Sequence, residues 1–245
     1  MFNLYKLEFK KIQWSILIFL ILLDTIINAS LGAMFMKSNS WYFPPSWSEL
    51  YIQSLSFHAL FFYPLYVGII TSLVCFYEHK NNAWKQLMCL PISKTNLYVA
   101  KFMFITTLLA ITQLTFFIGY FITGWIIQPP GKLDVINYII YGILGWLAMW
   151  PLVALQLWIS QKIKNFGRSL LINIFLVLPN VVVATGFPSY IAAWFPFSLS
   201  YFAMYPQGSV LSPDFHPIFF WSIAFFTSIL YFYIGLTYFI NRNWN

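Results

Sequence analysis

Two polar side chains interrupt the first long apolar run of the sequence, where a charged group is energetically costly. Asp24 and Asn28 stand four residues apart, so a helix places them on one face. An acidic residue inside a membrane span costs roughly 2.5–3.5 kcal/mol on insertion scales, and it therefore needs a polar partner. Two interpretations follow: a contact with a substrate or an ion at a subunit interface, or hydrogen bonds to neighbouring helices of the same bundle.

A second polar pair lies in a later apolar run. Asn173 and Asn180 are seven residues apart, with Pro179 between them. Seven residues make two helical turns, so both amides share a face, and the proline removes a helix hydrogen bond and favours a break there. We assign both asparagines, with Asp24 and Asn28, to a candidate substrate pathway or subunit interface. Hydrogen bonding within the bundle is the alternative for all four.

The sequence contains none of the motifs that intramembrane or ATP-hydrolysing enzymes require. It has no G-x-S-x-G serine elbow, no H-E-x-x-H metal helix and no G-x-x-x-x-G-K-[ST] phosphate loop. The histidines His58, His79 and His216 are predicted to lie at the membrane interfaces, and no Cys or His spacing suits a metal. We therefore predict no catalytic residue, no metal site and no cofactor of the chain's own. Any ATP hydrolysis must come from another polypeptide.

The composition indicates that lipid is the main solvent of this chain. Of its 245 residues, 60% are hydrophobic and 8% are charged, whereas soluble domains carry about 25% charged residues. Six apolar runs are each near or above the roughly 20 residues that cross a bilayer: residues 12–34, 57–77, 99–127, 136–160, 169–187 and 217–240. A membrane β-barrel would show alternating segments of about 10 residues instead. The prediction is an all-α polytopic membrane protein with six transmembrane helices in one domain, residues 1–245.

The basic residues predict the orientation of these helices. If the N-terminus is cytoplasmic, the outer loops hold only Lys37 and Lys132 of the 13 Lys and Arg residues. An excess of basic residues on the cytoplasmic side is the positive-inside pattern, so both termini are predicted to be cytoplasmic. The formal net charge of +7 then reflects topology and contact with anionic inner-leaflet lipid rather than nucleic-acid binding.

Two segments outside the spans have predicted structures of their own. Residues 1–13 interleave apolar and basic side chains, which predicts an amphipathic elbow on the inner surface. Residues 188–216 are too apolar for a solvated loop, and Pro196 and Pro206 break any single helix there. We predict short re-entrant or interfacial helices in this outer segment, packed against the bundle.

A third segment, residues 78–98, is polar and lies between the second and third apolar runs. It is predicted to contain a short helix capped by Asn81 or Asn82 and ended by Pro91. One face of this helix is apolar, at positions i, i+3 and i+4: Trp84, Leu87 and Met88. Such a helix lies in the membrane interface or inserts its apolar face into a groove on another protein, and both remain open here. Lys101, beyond it, is expected to snorkel to the headgroups.

This inner segment and a later outer motif resemble the ABC-2 type permeases, most closely the bacterial lantibiotic-immunity and bacitracin-resistance branch. The resemblance rests on the outer stretch WFPFSL at residues 194–199 and on the spacing of eight inner residues: Glu78, Trp84, Leu87, Leu90, Pro91, Ser93, Lys94 and Lys101. In that family the inner segment is the coupling helix, which docks on the ATP-binding subunit. Two positions depart from the branch, which often has Trp where Phe197 stands and Arg where Lys94 stands.

The resemblance implies specific site residues. The coupling segment would bind the ATPase, and its residues are Glu78, Trp84, Lys85, Leu87, Met88 and Pro91. Glu78 would anchor the segment. The outer re-entrant motif would consist of Trp194, Pro196 and Phe197.

The resemblance also implies partners and a function. The expected fold is the ABC-2, type V exporter-like permease fold, in the bacterial plasma membrane. Expected partners are two copies of an ABC ATP-binding subunit that bind ATP and Mg²⁺, a second permease chain, homologous or identical, membrane lipid and a peptide substrate. The function would be removal of an antimicrobial peptide from the membrane, for immunity or resistance. The alternative is a non-transporting membrane protein that senses or sequesters a peptide at its outer face and needs no ATPase.

Overall fold

The computed structural model describes residues 2–38, 44–80, 83–89, 91–206, 214 and 216–242, and these contain helices and no β-strand. The helices are α1 (Phe2–Lys11), α2 (Trp14–Ser38), α3 (Trp47–Phe57), α4 (Tyr63–His79), α5 (Ala83–Cys89), α6 (Lys94–Ile127), α7 (Val135–Ala148), α8 (Trp150–Lys162), α9 (Phe166–Val177), α10 (Asn180–Gly186), α11 (Ser189–Ala192), α12 (Leu199–Met204) and α13 (Pro217–Asn241). Three residues of the predicted inner segment, Asn81, Asn82 and Leu90, lie outside the described residues, as does the side chain of Met88.

Six helical stretches of the described chain are long and apolar enough to cross a membrane, which confirms the predicted fold class. They are Trp14–Ser38, Trp47–His79, Lys94–Ile127, Val135–Lys162, Phe166–Gly186 and Pro217–Asn241. Near the centre α4 packs against α6, α8 and α9, and α13 packs against α8. Three serines hold part of this centre together, since Ser169 Oγ lies 2.8 Å from both Ser72 Oγ and Ser160 Oγ. Such interhelical hydrogen bonds are favourable between helices in lipid.

The chain starts at the same end of the bundle at which α13 stops. At this end Lys94 Nζ donates to Ile240 O at 2.7 Å, and the Arg242 guanidinium donates to Gln161 O. Most of the basic residues also belong to this end, which the positive-inside rule assigns to the cytoplasm. We call it the inner end, and the opposite end the outer end.

The second span begins at Trp47, ten residues before the apolar run that starts at residue 57. Ser46 caps α3, because its Oγ accepts the Glu49 N–H at 3.1 Å. The S-x-x-E spacing of these two residues is typical of a capping box. Leu50 and Tyr51 are buried in the first turns of α3. The predicted boundary was therefore wrong, and the residues after it lie deeper in the bundle than expected.

Three of the six spans are interrupted at prolines. A π-helical segment, His58–Phe62, separates α3 from α4 just before Pro64. The fourth span breaks between α7 and α8 at Met149, before Pro151. The fifth breaks between α9 and α10, where Pro179 was predicted to interrupt it. Because proline lacks an N–H and clashes with the preceding turn, each break leaves backbone carbonyls that need other donors.

The carbonyls freed near Pro64 are satisfied from distant parts of the chain. Pro64 has no N–H to offer Leu60 O, and Asn180 Nδ2 donates to that oxygen at 2.7 Å instead. The N–H of Tyr63 bonds to His58 O in the π-helical pattern, which frees Ala59 O, and Ser200 Oγ donates to it at 2.8 Å. The π-helical segment of the second span therefore depends on donors from α10 and α12.

Replacing Asn180 with leucine should destabilise the fold. The change removes the donors to Leu60 O and Phe197 O, and an unpaired buried carbonyl costs about 1–2 kcal/mol. We expect a lower melting temperature in detergent, followed by fluorescence-detected size exclusion. Thr185→Val is the matched control, because this exposed hydroxyl donates only within its own helix, to Val181 O. Equal melting of Asn180→Leu and wild type would contradict the proposed dependence on the amide.

Candidate functional site

A cluster of four charges lies at the inner end of the bundle, with three of them buried and the fourth partly exposed. We call it the inner charge cluster, and its members are Glu8, Lys11, Glu78 and Lys101. Lys101 Nζ donates to both carboxylate oxygens of Glu8, each at 3.1 Å, and to Glu78 Oε1 at 2.8 Å. Lys11 Nζ donates to Glu8 Oε1 at 3.0 Å and to Glu78 Oε1 at 2.6 Å. The two carboxylates and two ammonium groups neutralise each other, which makes their burial tolerable.

The amphipathic helix α1 brings two of these charges to the bundle. Glu8 and Lys11 lie one turn apart on the same face of α1. That face is held on α6 by Phe9, whose ring centroid is 4.7 Å from that of Phe104. The turn into α2 is fastened by Trp14, whose Nε1 donates to Phe9 O at 2.9 Å. The predicted elbow is thus helical and carries a buried acid on its bundle side.

The short helix α5 touches the same cluster through Trp84. The Lys101 ammonium lies 5.2 Å from the centroid of the Trp84 ring, within cation–π distance. The other contacts of Trp84 include Phe239 of α13, with ring centroids 5.3 Å apart. The indole is only 4% exposed. Four elements, α1, α4, α5 and α6, therefore meet at one set of charges.

A second buried polar network lies in the outer half of the bundle. His58 Nδ1 is 3.0 Å from Asp24 Oδ2, and His58 Nε2 is 3.2 Å from Gln113 Oε1. Asn28 Nδ2 donates to Asp24 Oδ1 at 2.5 Å. The imidazole is stacked on Phe116, with ring centroids 4.2 Å apart. The network joins α2, the π-helical segment and α6, and it supplies the partner that an acid in a span requires.

This network favours hydrogen bonding within the bundle for Asp24 and Asn28. Both side chains are fully buried and bond within this chain, so they hold α2 to the π-helical segment. The prediction that His58 is interfacial was wrong, because the second span begins at Trp47 and carries the ring into the core. Gln113 of α6 completes the network.

Asn173 and Asn180 also serve the bundle rather than a surface. Asn173 Nδ2 donates to Pro64 O at 3.3 Å, and its amide occupies the space that a Cβ on Gly68 would need. The absence of a side chain at Gly68 therefore lets α9 approach α4 closely. Asn180 donates to Leu60 O and Phe197 O. Both amides are buried, and neither lies at an open pathway in this conformation.

The outer motif is divided between the core and the surface. Pro196 and Phe197 are buried, whereas Trp194 is 53% exposed. Phe197 contributes its carbonyl to Asn180, and the next residue, Ser198, donates to Ala192 O at 2.6 Å. The segment is thus a folded cap of the two short helices α11 and α12, with Trp194 on its outside.

Comparison with known families identifies the family of this chain. The model of the ABC-2 family transporter protein matches residues 4–180, which include the inner charge cluster, α5 and the Asp24–His58 pair. The chain belongs to the ABC-2 transporter family. As an ABC-2 family member it is a multi-pass membrane subunit of an ABC transporter and associates with an ABC ATP-binding subunit. No curated protein and no solved structure matches the chain significantly.

The structure of this ABC-2 chain revises the residues expected on the coupling helix. Trp84, expected to dock on the ATPase, lies in the chain's own core, and Leu87 is half-buried. Lys85 is exposed, as is Pro91 after the helix, and Glu78 belongs to the inner charge cluster. Met88 lies in α5, but its side chain is outside the described residues. A two-sided helix results, with one side anchored in the bundle and the other available to a partner.

Lys101 also differs from its expected position. It was predicted to snorkel to the headgroups, yet its side chain is fully buried between Glu8 and Glu78. The two carboxylates replace the interaction with water and lipid headgroups, so the ammonium group stays inside. The signal that sequence reasoning missed is Glu8, the only acid within residues 1–13.

Removing one charge from the inner charge cluster should lower the stability of the fold more than removing two opposite charges together. Lys101→Met leaves two buried carboxylates with Lys11 alone, and removing one partner of a buried pair typically costs about 3–5 kcal/mol. Adding Glu8→Gln removes the surplus negative charge, so we expect the double variant to melt closer to wild type than Lys101→Met. The measurement is a double-mutant cycle of melting temperatures in detergent.

The control for this cycle is Lys10→Met, which removes an exposed cation from α1. It should leave the melting temperature nearly unchanged, because single surface substitutions are usually within about 0.5 kcal/mol. Strictly additive losses in the Lys101→Met and Glu8→Gln pair would show that the two groups are not coupled.

Proposed function

We propose that this chain is the permease of an ATP-driven exporter in the bacterial plasma membrane, and that its cargo is an amphipathic antimicrobial peptide of the lantibiotic or bacitracin type. The observation that carries the proposal is the inner charge cluster. It joins the coupling helix α5 to the elbow α1 and to the inner ends of α4 and α6. A force on α5 therefore acts on two membrane spans at once.

The geometry of the cluster suits a switch between two packings. Buried ion pairs are stable only when every charge keeps its partner, so intermediate positions of α1, α4 and α6 are disfavoured. Binding of the ATPase to α5 would favour one packing over the other through the contact of Trp84 with Lys101. The consequence would be a rigid-body shift of the spans rather than a gradual deformation.

The proposed docking surface is the exposed side of α5. Lys85 and Gln86 are exposed there, while Trp84 fixes the helix to the bundle. Two permease chains, identical or homologous, would each present such a surface to one copy of the ATPase. ATP and Mg²⁺ would be bound by the ATPase, since this chain has no phosphate loop.

The exposed surface of the outer segment favours an amphipathic peptide as the cargo. Four large apolar side chains are exposed on and beside α11: Phe187, Tyr190, Ile191 and Trp194. Aromatic residues of this kind favour the headgroup level of a membrane, where an amphipathic peptide also binds. A peptide held in the outer leaflet would meet this surface first. The π-helical segment of the second span is connected to this region through the bonds of Asn180 and Ser200.

Reversing the charge of Lys85 should weaken ATPase association without unfolding the chain. We expect about tenfold less ATPase to co-purify with Lys85→Glu than with wild type, which corresponds to roughly 1.4 kcal/mol of binding free energy. The measurement is mild-detergent purification of the tagged chain from its host, with quantitative mass spectrometry. Lys10→Glu, the same charge change at an exposed site of α1, is the control.

Two outcomes of that purification would contradict the proposal. If no phosphate-loop ATPase co-purifies with wild type, the non-transporting peptide sensor becomes the better account of the chain. If Lys85→Glu and Lys10→Glu retain equal amounts of ATPase, docking does not use the exposed side of α5. Any second permease that co-purifies would identify the pairing of the chains.

Truncating Trp194 should reduce resistance to the cargo peptide. The ring is exposed and makes a large apolar contact area available to a peptide in the outer leaflet. We expect Trp194→Ala to lower the inhibitory concentration of a lantibiotic or of bacitracin toward that of a strain lacking the gene. Trp125→Ala is the matched control, because Trp125 is exposed at the outer end of α6. Unchanged resistance in the gene deletion would exclude an immunity function for these peptides.

A further inference from the structure

An open pocket of about 990 Å³ lies at the inner end between α8 and α9. Three cations line it around the loop that joins the helices: Lys162, Lys164 and Arg168. Further into the bundle, each helix contributes apolar side chains: Trp158 from α8, and Leu171 and Ile172 from α9. The pocket thus combines a basic mouth with an apolar interior, at the depth where a membrane changes from headgroups to acyl chains.

The cations of this pocket have no carboxylate partner in the described part of the chain. All the ion pairs found there belong to the inner charge cluster or to Asp24 and His58. Lys162, Lys164 and Arg168 are all exposed. Within the described residues, these three side chains therefore give the pocket mouth a positive charge.

The backbone at the start of α9 also favours an anion at this pocket. Asn165 caps the helix, because its Oδ1 accepts the Arg168 N–H at 3.1 Å, and Asn165 itself lines the pocket. The first N–H groups of a helix have no partner within it, and they favour an anion nearby. Three side-chain cations and the N-terminal end of a twelve-residue helix thus point to the same kind of ligand.

We propose that this pocket binds an anionic phospholipid of the inner leaflet, with the phosphate between Lys162, Lys164 and Arg168. The acyl chains would follow the apolar side of α9. Leu171 and Phe175 are one turn apart and exposed, with Phe175 at 76%, so the pocket continues onto the lipid-facing surface. Basic pockets between helices at the cytoplasmic face are typical sites for anionic headgroups. The proposal is independent of the transport function.

The apolar interior distinguishes a lipid from a soluble phosphate. A free phosphate would need only the cations and would leave Trp158, Leu171 and Ile172 without a ligand. A lipid satisfies both parts of the pocket, because its headgroup and its chains divide at the same depth as the lining residues. The lipid therefore accounts for more of the lining than the anion alone.

The test is native mass spectrometry of the purified chain in detergent, titrated with phosphatidylglycerol and with phosphatidylcholine of the same acyl chains. The variant is Lys162→Gln, Lys164→Gln and Arg168→Gln in one chain. We expect wild type to prefer phosphatidylglycerol and the triple variant to bind it about 100-fold more weakly, since each cation contributes about fivefold. Lys6→Gln, Lys10→Gln and Lys80→Gln together form the control, because these exposed cations of the inner end lie outside the pocket.

Further arms separate the other possible ligands. Soluble glycerol phosphate should not compete with the lipid, and competition by it at similar concentrations would overturn the lipid assignment in favour of a phosphate site. A Leu171→Asp variant should weaken phosphatidylglycerol binding while the cations remain. A Lys162→Arg, Lys164→Arg variant should retain binding, because charge rather than a particular side chain is required.

The remaining outcomes also decide the proposal. Equal phosphatidylglycerol affinity of the triple variant and its control would overturn it. Loss of the ATP-binding subunit from the triple variant, with lipid affinity unchanged, would make the pocket a protein-docking surface instead. The melting temperature of each variant in detergent shows whether a loss of binding reflects loss of the fold.

Discussion

The charge of Lys101 has to be neutralised inside the protein, and several elements of the structure depend on this requirement. An ammonium group without water needs carboxylates at hydrogen-bond distance, and Glu8 and Glu78 supply them. Glu8 can do so only if α1 lies flat on α6, and Glu78 only if α4 extends to the inner end. The pairing of Lys101 with these two carboxylates therefore accounts for the position of the elbow, the length of α4 and the position of Trp84.

The prolines of the spans impose a second constraint, which acts at the outer end. Each removes a backbone donor in a medium that offers no water as a replacement. Side-chain donors such as Asn180 and Ser200 replace the missing backbone donors. Asn180 and Ser200 therefore have a structural use, and the carbonyls of Leu60 and Ala59 explain their burial. The exposed groups that remain for partners lie at the two ends of the bundle.

The sequence predicted the six spans and the break at Pro179, because length, apolar composition and proline act locally along the chain. It did not predict the inner charge cluster, since Glu8, Glu78 and Lys101 are distant in sequence and each alone resembles an interfacial residue. His58 was misplaced for a different reason. The capping residues Ser46 and Glu49 begin α3 early, and a boundary set by hydropathy alone leaves the imidazole at the surface.

The side-chain hydrogen bonds to the backbone near Pro64 restrict how the second span can move. A helix whose carbonyls bond only within itself can move alone, but the π-helical segment shares its carbonyls with Asn180 and Ser200. A shift of this part of the second span would leave those oxygens without donors unless α10 and α12 moved with it. The cap at the outer surface and the π-helical segment beneath it are therefore coupled mechanically. A force on the cap acts on the second span, which continues to Glu78 at the inner end.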